Sequence, residues 1–424
     1  MNKEYFRKLM KSGNFGQAVI WNMAGICFYH FCRWMISISV FRMSEDFTTA
    51  GLLALAISIT SIWGVVAFYS VRNVQVSDTE GRHTDSEYVS TRIVTIIIAV
   101  IFCVIHALIF TRDAYQALVI SVYMLLVAGA AYADVMHGIL QKQWRMDIIG
   151  ISFAVKGFGI IALFVLLFHF FGFLPAIIGI TLFYTAIIFL FDEKYARRYT
   201  DLRISFDSGR ILPLLKLCFP LVICSFVAFI IPSVTRMVLQ RMTDGETLGI
   251  FAAATVPASI IQMVVISSFP PFVNAFKKHL LERNYRKYLR LFWFGILGII
   301  AIFAAFYALT LPFGEWLMWL LYRNDEMVPY TYLFTEAAIV SFLTCLCLFI
   351  TLPLVVLRYI YTQIFIYLGG VAVFVVFLRT MILDFGMSGA NYIQILAYAL
   401  ISAAMLFAAI IVSKKEFAER KQSV

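Results

Sequence analysis

The sequence predicts an all-α integral membrane protein of about twelve transmembrane helices in two sets of six. Three observations carry this expectation. Hydrophobic residues make up 62% of the 424-residue chain and charged residues only 14%, which excludes a water-soluble fold. The apolar residues gather into runs, each near the ~20 residues that a helix needs to cross a bilayer. The basic residues also sort by side. With the N-terminus taken as cytosolic, 26 of the 34 Lys and Arg fall on inner segments and 6 on outer ones. That is the positive-inside pattern.

In chain order, residues 1–17 place Tyr5, Phe6, Leu9 and Met10 on one helical face and Lys3, Arg7, Lys8 and Lys11 largely on the other. This predicts a short helix lying in the cytosolic interface. The runs Ala18–Val40 and Ala50–Val71 form the first two spans, and no small-x-small cleavage site marks the first as a removable signal. Ile93–Phe110, Ala114–Met136, Ile148–Phe168 and Phe173–Phe191 complete the first set. The long polar stretch Asp192–Lys216 follows, so the expected halves are residues 1–200 and 201–424. Leu217–Thr235 and Leu248–Phe272 carry Pro220, Pro232, Pro257, Pro270 and Pro271, and bends are expected there because proline removes a backbone donor. Between these and the ninth span, Lys277–Arg290 has the same basic and apolar character as the N-terminal segment. Leu291–Leu311, Tyr332–Leu354, Tyr359–Leu378 and Ile393–Val412 close the second set. Six spans per half give both halves one orientation, so any internal repeat is parallel.

Two cations refuse the sorting. Arg33 and Lys156 lie inside predicted spans, about fifteen and eight residues from the inner edge, or ~22 Å and ~12 Å at the helical rise. Cations at such depth are costly in lipid and point to a polar interior that serves function. Arg33 belongs to a stripe with Asn22, His30 and Ser37, and Arg236 stands at the outer mouth of the seventh span. Together they suggest a ladder of cations for an anionic cargo. Charge pairing is the plain alternative: Asp134 lies near the depth of Lys156, and Glu336 near that of Arg33. Thr255, Ser259 and Gln262 share one face of the eighth span, where interhelical hydrogen bonding is the common use. His106 and His169 read as structural histidines.

Several chemistries are not written in the chain. The motifs HExxH, GxxxxGK[ST] and GxSxG do not occur. The seven cysteines all lie in apolar spans without a CxxC pair, so neither metal nor disulfide is expected. No catalytic residue and no cofactor is expected. The net charge of +10 sits on inner loops, where anionic lipids rather than nucleic acid attract it.

Four blocks resemble the polysaccharide flippases of the Wzx type, within the multidrug/oligosaccharidyl-lipid/polysaccharide exporter superfamily. Ser70-Val-Arg-Asn-Val-Gln-Val-Ser-Asp78 is similar to that family's arginine-containing turn after the second span. Asp134–Asp147, with Gln141, Arg145 and Asp147, resembles its turn after the fourth. The stretch from Leu248 to Pro270 resembles its eighth helix, and Met387-Ser-Gly-Ala-Asn391 its approach to the last. The resemblance implies two six-helix lobes around a central cavity and outward movement of a lipid-linked sugar by alternating access. It implies a polyprenyl-pyrophosphate-linked oligosaccharide as cargo and the bacterial cytoplasmic (inner) membrane as location, with both termini cytosolic. Membrane lipids and the polysaccharide polymerase machinery are the expected partners, in O-antigen or capsule assembly. The cavity residues are not carried by the matched blocks. The candidates Arg33, Lys156, His30, Asn22, Arg236 and Gln262 come from charge, polarity and depth. Rival expectations are a lipid II flippase or multidrug exporter of the same superfamily, and a membrane-embedded polysaccharide polymerase.

Overall fold

A computed structural model describes residues 14–44, 46–78, 81–111, 113–357 and 359–422. The interfacial helix expected over residues 1–17 lies outside these, apart from its last residues, which open the first helix. All regular structure among the described residues is helical. The first half comprises α1 (Asn14–Met43), α2 (Thr48–Phe68), the short α3 (Val71–Ser77), α4 (Asp85–Phe110), α5 (Ala114–Lys142), α6 (Met146–Phe171) and α7 (Phe173–Ile187). There follow α8 (Ser208–Met242), α9 (Gly245–Ser267), α10 (Phe269–Leu281), α11 (Tyr285–Tyr322), α12 (Thr331–Val356) and α13 (Ile360–Gln422). Ten helical stretches among the described residues are long and apolar enough to cross a membrane. The last of them contains a kink at Gly386 (φ +57°) and carries the final two apolar runs, while α8 carries the seventh. The chain is an all-α multi-pass membrane protein.

Internal contacts define two compact units, Met1–Glu45 with Leu52–Phe229, and Asp46–Gly51 with Ile230–Val424. The polar stretch 192–216 belongs to the first. The amides of Arg203 and Ser205 donate to the hydroxyls of Ser86 (3.1 Å) and Ser90 (3.0 Å), and Arg210 pairs with Glu87 at 3.1 Å. The division between units falls later, within α8.

In the first unit α1 and α6 approach until their backbones touch. A Cβ on Gly25 would stand 2.1 Å from the Gly150 carbonyl oxygen, and one on Gly157 would stand 2.9 Å from Tyr29 Cα. Close backbone approach through small residues is how membrane helices gain packing energy without a hydrophobic drive. Helix α2 stops where Tyr69 (φ +41°) and Ser70 (φ +51°) turn left-handed, so that α3 sets off in a new direction. A capping box, Thr84 with Glu87, starts α4. Helix α7 does not end at Ile187; it passes through a π-helical turn, Ile188–Glu193, and then a last turn to Ala196. That wider turn carries Asp192 into the protein interior, fully buried, instead of opening a polar loop.

In the second unit, the expected proline bend is a full break. Helix α9 ends at Ser267 and α10 starts with Pro270 and Pro271 in its first turn, the one place where a missing donor costs nothing. At Pro257, by contrast, α9 runs on. Lys277–Arg290 is not one interfacial helix. It joins the end of α10 to the start of α11 through a turn at Arg283 (φ +53°), with Asn284 capping α11 through the Lys287 amide at 3.1 Å. Phe349 of α12 centres an aromatic cluster with Phe269, Phe272 and Phe292, at ring separations of 5.5, 5.1 and 6.3 Å.

Candidate functional site

The first unit bears an open cavity of about 610 Å³. Its walls come from α1, α2, α3, α5 and the first-unit part of α8, and its polar lining includes Arg33, Tyr123, Arg72, Asp134, Gln141 and Thr60. Arg33 is the deepest cation. Its side chain is exposed to the cavity and donates to the Tyr123 hydroxyl at 3.1 Å. An arginine in the middle of a membrane helix survives only where water or polar groups reach it, and the cavity is what reaches Arg33.

At the other end of the same cavity stands a cluster that links four helices, α2, α3, α4 and α5. Arg72 of α3 donates to Asp134 Oδ1 at 3.1 Å and to Gln141 Oε1 at 3.2 and 2.8 Å. Asp134 Oδ2 accepts from Arg92 at 2.8 Å. Arg92 is fully buried and also donates to the carbonyls of Ala67, at 3.0 Å, and Phe68. Those carbonyls end α2, where the left-handed residues have removed their usual partners. The cavity wall and its backing therefore hold three arginines against one carboxylate. The site is cationic.

Lys156 is placed elsewhere. It is fully buried and does not line the cavity. Its ammonium pairs with Asp192 and lies 4.7 Å from the centre of the Tyr184 ring. Asp192 also accepts from Ser152 at 2.5 Å and meets His137 Nε2 at 3.1 Å. The suggested mate, Asp134, is taken by Arg92 and Arg72, so the pairing of Lys156 with Asp134 is corrected to one with Asp192. The reason is the π turn, which brings in a carboxylate that the sequence places beyond the apolar run. Tyr29, one turn before Arg33, packs against Tyr184 and Phe153.

Neither His30 nor Asn22 lines the cavity with Arg33. His30 is partly buried with its ring edge-on to Tyr29 at 5.6 Å, and the Asn22 amide oxygen is buried where α1 meets Gly150. Arg236 and Gln262 belong to the second unit, each partly buried. Thr255 and Ser259 turn back onto carbonyls of their own helix. Glu336 accepts from Asn391 at 3.0 Å, and His106 accepts from the Trp63 indole at 3.0 Å. Among the described residues no cluster of His, Cys, Asp or Glu is built to hold a metal ion. Sequence reasoning missed Arg72, Arg92 and Tyr123 as a set. The available signal was that Arg92 abuts the third apolar run and that Arg72 and Gln141 both sit in blocks of the flippase resemblance.

A search of the solved structures finds close likenesses of fold. An inward-facing multidrug resistance MATE family transporter of the MOP superfamily superposes with a TM-score of 0.70 at 13% identity, covering 96% of this chain and 100% of its own. A eukaryotic MATE transporter gives 0.67 at 12% identity, covering 97% and 99%. A MOP superfamily transporter from Pyrococcus furiosus, described as having a binding pocket of reverse polarity, gives 0.60 at 14% identity over 95% and 96%. At these identities the likeness concerns the fold, which is that of the MATE and MOP transporters. No curated protein matches by sequence. The family model "Polysaccharide biosynthesis protein" matches residues 50–271, more than half of the chain, and includes every cavity residue named above except Arg33. The chain belongs to the polysaccharide biosynthesis protein family.

Proposed function

We propose that this protein is a flippase that carries a polyprenyl-pyrophosphate-linked oligosaccharide from the inner to the outer leaflet by alternating access. The observation that carries the reading is the cationic cavity, with Arg33 exposed inside it at mid-helix depth and Arg72 near its other end. A pyrophosphate needs such a site: guanidinium forks match its oxygens, and the low dielectric strengthens each contact. Arg33 is the primary anion contact, positioned by Tyr123. His30 and Asn22 on α1, and Arg236 and Gln262 in the second unit, are secondary candidates for the sugar and phosphate. Lys156 holds helices together rather than cargo. The location is a bacterial cytoplasmic membrane, with both termini and the basic loops cytosolic and the polymerase machinery downstream.

Multidrug export is the second reading, because MATE transporters share the fold. The cavity charge weighs against it for cationic drugs, which the arginines would repel. In a strain lacking the protein, lipid-linked units should accumulate on the inner leaflet, whereas loss of a polymerase strands them outside. Arg33→Gln should reproduce the null phenotype at normal protein abundance. Units accumulating on the outer leaflet, or normal surface polysaccharide with Arg33→Gln, would overturn the assignment.

A further inference from the structure

We infer that Asp134 and Gln141 are built-in stand-ins for the cargo's anion, and that Arg72 is a second phosphate-binding residue which exchanges them for the cargo. The inference rests on the flippase reading and adds to it a residue, a competitor and an order of events.

The two arginines that share Asp134 differ in what they can do. Arg92 is fully buried, and its two terminal nitrogens are spent on Asp134 and on two backbone carbonyls at the end of α2. It has no access to the cavity. Arg72 lines the cavity with 23% of its side chain exposed, and its three side-chain hydrogen bonds go to two oxygens, Asp134 Oδ1 and Gln141 Oε1, of residues that also line the cavity. Those oxygens can rotate away. When Arg72 lets go of Asp134, the carboxylate keeps Arg92 at 2.8 Å, so no buried charge is orphaned. Gln141 is neutral and partly exposed, so releasing it leaves no charge behind. The cluster thus presents a guanidinium already spread flat on oxygen acceptors, the arrangement that a phosphate replaces one for one.

The consequence is a competition. In the empty cavity Asp134 partly neutralises Arg72 and keeps adventitious anions off it. A pyrophosphate brings two charged groups to one cavity and can engage Arg72 and Arg33 in turn, which a singly charged anion cannot match. Asp134 then stands ready to retake Arg72 and help release the phosphate. The acid lowers affinity so that turnover can continue.

The test uses the full-length protein in nanodiscs, with inorganic pyrophosphate and farnesyl pyrophosphate as probes read by calorimetry. Arg72→Gln should weaken binding about tenfold, as expected for one lost charge-assisted contact. Asp134→Asn should bind several-fold tighter yet support less polysaccharide export. Because Asp134→Asn also weakens the buried Arg92, Gln141→Ala serves as an independent arm: it frees Arg72 without touching Arg92 and should also bind tighter. Arg72→Gln combined with Gln141→Ala should bind no tighter than Arg72→Gln alone. If Arg33→Gln weakens binding while Arg72→Gln does not, this inference falls and the flippase reading stands. If Gln141→Ala and Asp134→Asn both bind as the native protein does, the competition is refuted. If the native protein binds neither probe, the flippase reading itself fails, and this inference with it.

Discussion

Replacing Lys156 by methionine keeps the length of the side chain and removes its charge. Asp192, fully buried, would retain its hydrogen bonds from Ser152 and its contact with His137, but not its ammonium. Breaking a buried pair from one side typically costs about 3–5 kcal/mol, because a desolvated charge is left uncompensated. Asp192→Asn should cost a similar amount from the other side, eased by the Tyr184 ring that lies 4.7 Å from the ammonium. The double variant Lys156→Met, Asp192→Asn removes both charges and leaves an amide oxygen for Ser152. It should lose less stability than either single variant, since neutral replacements of buried pairs are often close to neutral in energy. Reversible unfolding in mixed micelles, titrated with SDS, measures these differences as free energies. A control pair gives the comparison its edge. Lys156→Met with Asp134→Asn should be additive, because Asp134 answers to Arg92 and Arg72. Additivity in the Asp192 cycle, or rescue in the Asp134 cycle, would refute the pairing and the role assigned to the π turn.

Gly150→Val should lose folded protein in the membrane, because its Cβ would stand 2.3 Å from the Trp21 carbonyl oxygen, whereas the same change at Gly298, where a Cβ meets nothing, should be silent in a detergent melting assay. The basic-side orientation predicts that cysteines at Ser86 and Ser208 are shielded from an impermeant thiol reagent in intact cells while one at Thr48 reacts; outside labelling of the Ser208 variant would invert the topology. Burial works to raise the Asp78 carboxyl, but the amides of His83 and Arg82 and the Tyr88 hydroxyl outweigh it and hold it below the ordinary carboxylate range. Its contribution to stability should therefore be present above the ordinary carboxylate value and vanish as pH falls through the lowered one, so Asp78→Asn should destabilise at neutral pH and match the native protein in strong acid. Two charges crossing outward gain about 4–5 kcal/mol per 100 mV, so a negative interior imposed on proteoliposomes in symmetric Na⁺ and pH should accelerate outward flipping; an unchanged rate, with acceleration from an ion gradient alone, would refute a potential-driven cycle.

The membrane class and the helical spans were legible in the sequence because they depend on sums. Composition, run length and the side-to-side balance of Lys and Arg are one-dimensional quantities, and each apolar run is found in helix. Arg33 was legible for the same reason: one cation in an apolar run is conspicuous wherever the helix packs, and the cavity takes it up. What the sequence could not decide is who meets whom. Lys156 and Arg33 look alike as intruders, yet one is neutralised by Asp192 and the other lines the cavity beside Tyr123. The difference depends on a single π turn, a change of one residue in hydrogen-bond register that leaves no mark on hydropathy. The Arg72, Asp134 and Arg92 cluster joins positions 20 and 42 residues apart in the chain, and its geometry exists only because α2 breaks at two left-handed residues and offers its last carbonyls to Arg92. Pairing of charges is a property of three-dimensional distance, and only the packed helices set it.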